Sequence, residues 1–232
     1  MTTDTATTET ASSDPSTRGP LRDDDPRFTF AKAVILAGEV IGAVGPDQLD
    51  DPTPCGAMDV RSLLGHLLEV LDRVAVIGRD ENPFTAPPVP PAADDAWTEA
   101  WQETAHAVKS AWSDPAVLDR IVELPWSQVS GGETLAGYVN ELTVHTWDLA
   151  AATGQHPDFD DDVVSVGFAA IRKILADCDR AAMIAAAAQA MPPELRDFPP
   201  LFADAVPVAP DAPLIDRLVA WNGRNPALAT GS

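Results

Sequence analysis

The stretch YVNELTVHTWDLA, residues 138–150, carries a carboxylate at Glu141 and an imidazole at His145 within an otherwise core-like helical pattern. Side chains four apart on an α-helix stand one turn above each other, so a carboxylate oxygen and a ring nitrogen there can converge on one cation. The plainer use of such a pair is a hydrogen bond on a helix surface, and spacing alone does not choose between the two. At about 100° per residue, Leu135, Val139, Leu142, Thr146 and Leu149 centre the buried face of this helix. Tyr138, His145, Glu141 and Asp148 pass round one shoulder of it. A second imidazole, His66 in VRSLLGHLLEVLDRVAVIGR, also lies on a shoulder, about a third of a turn from its own apolar stripe. If the two helices are neighbours, His66, Glu141 and His145 form an N, O, N set. That is the ligand chemistry of a catalytic zinc or related divalent site with one position open.

The elements that must position these residues read as helices. Phe30, Val34, Ala37, Ile41 and Val44 recur at helical spacing ahead of Gly45-Pro46. Asp59 is placed to cap the helix of His66, whose Val60, Leu63, Leu64, Leu67, Leu71 and Val74 share one stripe. After the proline-rich NPFTAPPVPPAADD comes a third helix with Trp97, Trp101, Ala105, Val108 and Trp112 on one face. That face has two readings, packing within the chain or against a second copy in a homodimer, and both stay open. IVELPWSQVSGGETL suggests a short hairpin or extended loop about a Gly-Gly turn. Thr134 is then expected to cap the helix of Glu141 and His145, which closes at Gly154. DDVVSVGFAAIRKILADC, an Ala-rich stretch at 181–191 and APLIDRLVAWNGRNP supply further helices. The expectation is an all-α fold, a four-helix bundle with extra C-terminal helices. Its single domain spans residues 25–226, between a disordered tail at 1–24 and a flexible end at 227–232.

Of the 232 residues 45% are apolar, enough for a real core, and 36 acidic side chains outnumber 15 basic ones. The resulting charge of -21 opposes binding to phosphate backbones and gives no attraction to anionic lipid, so neither nucleic acid nor membrane is expected as a partner. Cys55 and Cys178 are too few and too far apart for a disulfide framework or a cysteine-only zinc site. No basic-then-apolar leader and no long apolar run is present, and a cytoplasmic location is expected. Elsewhere the bland readings lead. His106 projects away from the tryptophan face, His156 sits in a turn, Trp147 projects toward packing, and Cys178 falls on an apolar helix face.

TPCGAMDVRSLLGHLLEVL, NELTVHTWDLAAATGQ and DAPLIDRLVAWNGRNP, in this order and spacing, resemble the actinobacterial metal-binding proteins related to mycothiol-dependent maleylpyruvate isomerase. These belong to the DinB-like four-helix superfamily, and the resemblance spans roughly residues 28–226. It implies a divalent metal, zinc first with nickel or iron as alternatives, held by His66, Glu141 and His145. It also implies mycothiol or another low-molecular-weight thiol as co-substrate, acting on a small electrophile in a transferase or isomerase reaction. On that reading Asp148 orients a ligand or binds an amine of the thiol cofactor, and Arg73, two turns after His66, binds a substrate carboxylate. An exposed helix acid and a surface ion pair are their plain alternatives. Arg224 of GRNP has two readings, reaching the pocket mouth or finishing the terminal helix. The family's usual TPCPGW is here TPCGAM, with Met58 in place of Trp, which bears on the pocket wall and not on the ligands. The sequence closes soon after GRNP, so the isomerase activity itself is not expected to carry over. From another class, a non-enzymatic ligand-binding or interaction bundle with a structural metal would need a fourth protein ligand, for which Asp148 and Asp59 are nearest.

Overall fold

Asp25 accepts a hydrogen bond from the Arg27 amide and opens α1, Pro26–Gly42, whose inner face carries Phe30, Ala33, Ala37, Val40 and Ile41. The helix starts four residues before the periodicity at Phe30, because a proline in the first turn lacks only a donor that would have no partner there. The computed structural model describes residues 25–229, apart from 57, 84, 125–126, 176–178 and 191–202. The N-terminal tail, positions 230–232 and the helix-face position of Cys178 lie outside the described residues.

α2, Val60–Gly78, is capped by Asp59, which accepts from the Ser62 amide at 2.8 Å. Its apolar stripe is fully enclosed, with Val60, Leu63, Leu67, Leu71 and Val74 inaccessible to solvent. α3, Trp97–Ala111, turns its tryptophans inward. The indole of Trp101 donates to the Val34 carbonyl at 3.1 Å and that of Trp112 to the Val74 carbonyl at 2.8 Å. The tryptophan face is therefore covered within the chain, against α1 and α2.

β1, Ile121–Leu124, and β2, Ser127–Ser130, pair antiparallel with Leu124 opposite Ser127. The register puts the reversal between Leu124 and Ser127, so Gly131-Gly132 is not the hairpin turn. These glycines instead open α4, Gly131–Thr153. Its cap is Ser130 and not Thr134, since Ser130 and Glu133 each satisfy the other's backbone amide, whereas the Thr134 hydroxyl donates back to the Ser130 carbonyl. Gly131 is required by proximity, because a Cβ there would fall 2.1 Å from the Val117 carbonyl oxygen. Gly131→Ala is expected to lower stability by about 1–3 kcal/mol, the usual cost of overpacking, and a denaturation midpoint equal to wild type would refute that contact.

The first four helices close a ring in which α1 packs on α3 and α4, and α2 packs on the same two partners. α4 is also covered from outside by α5, Asp161–Ile174, and α7, Leu214–Trp221, through Val144, Val164, Ile171, Leu175 and Leu218. Every residue from Leu142 to Ala150 is buried as a result. α6, Arg180–Ala190, lies between α5 and α7 in the chain. The protein is thus an all-α bundle with a hairpin before the fourth helix and extra C-terminal helices. Among the described residues no helix is long and apolar enough to cross a membrane.

Candidate metal centre

α2 and α4 run antiparallel, with His66 opposite Glu141 and His145, and Arg73, further along α2, beside Tyr138, earlier on α4. The crossing brings the three donors of the sequence reading together. Glu141 Oε1 lies 3.3 Å from His66 Nε2 and 3.4 Å from His145 Nε2. The two imidazoles meet edge to face with centroids 4.6 Å apart, and one donor atom from each of the three residues lies within 4.8 Å of the others. Donors on a tetrahedral ion with bonds of 2.0–2.1 Å stand about 3.3 Å apart, so the cluster has the spacing and the chemistry to hold such an ion. His66 and Glu141 keep 26% and 29% of their side-chain surface exposed, which leaves the centre open to solvent from one side.

The other ring nitrogen of His145 is fixed as firmly. Nδ1 lies 3.1 Å from Asp148 Oδ2, one turn along the same helix, and Asp148 is wholly buried. Donation from Nδ1–H to this carboxylate sets the tautomer that presents a bare Nε2 to the cluster. Asp148 is itself paired with Arg224, whose Nη2 stands 2.9 Å from Oδ2 and whose Nε lies 3.2 Å from Oδ1. Gly223 lets the chain turn back after α7 with φ 81°, and Asn222 exchanges side-chain hydrogen bonds with Asn140 of α4. That clamp delivers Arg224 to the far side of His145. The same guanidinium donates to Cys55 Sγ at 3.3 Å. Cys55, His145 and Asp148 form a second donor group, but Arg224 already supplies the positive charge a metal would bring, so this group acts as support for His145.

The electrostatics follow from these contacts. Burial opposes ionisation of Glu141, yet hydrogen bonds from His145 and His66 outweigh it and hold the carboxyl well below the ordinary range. Burial also disfavours a charged His145, but Asp148, Cys55 and Glu141 together raise its pKa well above the usual imidazole value. Burial likewise works against ionised Asp148, and His145 and Arg224 overcome it and lower its pKa. The cluster therefore favours a positive charge, which in the absence of any other cation a proton on His145 supplies. In metal-free protein the raised His145 contributes stability that is complete below about pH 6.5 and is lost as pH rises through its folded pKa. Glu141, with a lowered pKa, contributes above about pH 4.5 and loses this only in strong acid. Metal competes with the proton, so melts with chelator should weaken toward alkaline pH while the increment added by metal grows. An increment that shrinks as pH rises would contradict this.

The remaining candidates separate clearly. Asp59 caps α2 and Asp148 binds His145 and Arg224, so neither carboxylate is available as a fourth ligand. Arg224 takes the first of its two readings and reaches the cluster, with only 10% of its side chain exposed. Arg73 is half-buried, and its charge favours the ionised form of the Tyr138 hydroxyl. Burial, joined by the Glu141 charge and only partly offset by Arg73, pushes that hydroxyl up to about 12. His106 and His156 are exposed, Trp147 is packed in the interior, and Met58 packs at the edge of the core. The sequence reading missed Cys55 as a neighbour of the centre. Its signal was its place in the TPC block, as the signal for Arg224 was the GRNP block.

A four-helix bundle whose second and fourth helices join two imidazoles and a carboxylate is a DinB-like metal-site scaffold. The chain belongs to the family described as Mycothiol maleylpyruvate isomerase N-terminal domain, which matches residues 33–150. That span covers His66, Glu141, His145 and Asp148 and ends before Arg224. Two relatives from Mycobacterium tuberculosis, uncharacterized proteins of strains CDC 1551 / Oshkosh and H37Rv, are each 28% identical over 201 residues. The alignments cover 86% of this chain and 98% of each relative. No solved structure matches the chain.

Proposed function

We propose that the protein binds a divalent metal, zinc first, through His66, Glu141 and His145 and acts as a thiol-dependent transferase or isomerase on a small electrophilic substrate. The observation that carries this reading is the convergence of three donor atoms from two helices at separations of 3.3 and 3.4 Å, with solvent access on one side. Such a metal would supply Lewis acidity, favouring the thiolate form of mycothiol or another small thiol and so its attack on an electrophilic carbon. The chain's own residues set the conditions for that chemistry. Asp148 holds His145 by Nδ1, and Arg224 keeps Asp148 ionised within the bundle.

Charge balance supports the same reading. Glu141 and Asp148 set against Arg224 leave the enclosed cluster one negative charge, and a divalent ion with a bound thiolate brings it to neutrality. The competing reading, a structural metal in a binding module, needs a closed four-coordinate shell. The two nearby carboxylates that could close it are engaged elsewhere, which favours the exchangeable site. Protein purified without chelator is expected to carry a stoichiometric transition metal. After cobalt substitution, its visible spectrum should change when a small thiol is added. A spectrum indifferent to thiol would mean a closed site and would sink the catalytic reading. Mixing thiol and a reactive electrophile with the loaded protein then tests turnover separately.

A further inference from the structure

A side pocket of about 240 Å³ opens between α1, α4 and the start of α5, and none of the three metal donors lines it. Its buried residues are Ala33, Thr143, Thr146, Val163 and Val164, while Ile35, Glu39, Asp158 and Asp160 bring it to the surface. At about 100° per residue, Thr143 and Thr146 face away from the Glu141–His145 line of α4. The side pocket and the metal centre therefore use different flanks of one helix.

One polar group here is left unsatisfied. α4 carries four threonines. Thr134, Thr143 and Thr153 each donate to the carbonyl four residues earlier, at 3.0, 2.7 and 2.8 Å, a common outlet for a hydroxyl within a helix. Thr146 does not. Only 1% of this residue is exposed, and its hydroxyl has no hydrogen-bond partner among the described residues. A buried hydroxyl without a partner is destabilising, and valine would fill the same volume without that cost. Its O–H donor and lone pairs are available to a group that enters the side pocket.

The surroundings select the ligand class. Lys32 is engaged, with Nζ 2.6 Å from Asp160 Oδ2 and 4.9 Å from the centre of the Phe28 ring. With that charge neutralised, Glu39 and Asp158 leave the exposed side negative, which repels anions. Leu36, Phe159 and the two valines supply apolar walls, so most of the ligand surface must be apolar as well. The volume exceeds the roughly 150 Å³ of an apolar cavity that accepts benzene, and two fused rings fit.

We propose that this side pocket binds a small neutral ring compound bearing one hydroxyl or carbonyl group, with the rings between α1 and α5 and the polar group on Thr146. The site is separate from the thiol–metal centre and stands whether or not that reading holds.

The test uses the chelator-treated full-length chain and two probes of matched shape, 2-naphthol and 2-methylnaphthalene, with affinities read by equilibrium dialysis. In wild type the naphthol is expected to bind about tenfold more tightly, the scale of one net hydrogen bond. In Thr146→Val the two should bind alike. That variant should also melt no lower than wild type, because the hydroxyl it loses has no partner. His66→Ala should leave both affinities unchanged. No binding of either probe, equal affinities in wild type, or a preference that survives in Thr146→Val would each overturn the site. Loss of binding in His66→Ala would do so by moving the probe to the metal centre, and a Thr146→Val melt several degrees low would do so by showing the hydroxyl already bonded.

Discussion

Asp148→Ala is expected to lower stability by about 3–5 kcal/mol, because it strands the enclosed Arg224 guanidinium without its carboxylate. For a domain of this size each kcal/mol moves the melting midpoint by about 2–4 °C, so the loss should approach or exceed about 10 °C. The same change frees the Nδ1 side of His145, and loss of such an outer partner costs roughly 10–100-fold in metal affinity. Two readouts are needed, a thermal melt with chelator present and a metal competition titration. The double variant Asp148→Ala/Arg224→Ala should melt higher than Asp148→Ala alone, since the buried charge leaves with its partner. It should not regain metal affinity, because His145 still lacks its anchor. A single variant that melts within about 1 °C of wild type would show that the Asp148–Arg224 pair is not enclosed as described.

His66→Ala is expected to abolish stoichiometric metal binding with little effect on the metal-free fold. His66 keeps 26% of its side chain exposed, and its polar and ring contacts are to the other two donors. Its loss should weaken metal binding by more than about 100-fold, beyond the effect of removing an outer partner. Chelator-treated His66→Ala should melt within about 0.5 kcal/mol of wild type, in the range of surface substitutions. Elemental analysis gives the first number and circular dichroism the second. Retention of one equivalent of metal in this variant would move the site away from the α2–α4 crossing.

The parts of this centre differed in how readable they were. Glu141 and His145 are visible in sequence because helical spacing is local: four residues make one turn whatever surrounds them. α2 reads well for the same reason, since one apolar stripe opposes a polar face from Val60 onward. α4 reads as core on nearly every side because two layers cover it, α1 and α2 within and α5 and α7 without, so periodicity marks its buried centre less sharply. The structure places the hairpin turn and the cap elsewhere because Gly-Gly and Thr134 resemble turn and cap residues, while the cap at Ser130, four residues earlier, exchanges hydrogen bonds with Glu133. Arg224 and Cys55 could not be assigned from spacing. Their contact spans 169 positions, and that between Arg224 and Asp148 spans 76. Each depends on the turn at Gly223 and the Asn140–Asn222 clamp, which exist only once the bundle has closed.

The guanidinium behind His145 comes from beyond the stretch that matches the family, while every donor facing the cleft comes from within it. The α4 imidazole of the cluster is thus backed by a carboxylate from its own helix and by a guanidinium that arrives only after α7. A change in the GRNP turn is therefore expected to alter the electron density of that ring while the three donor atoms stay in place.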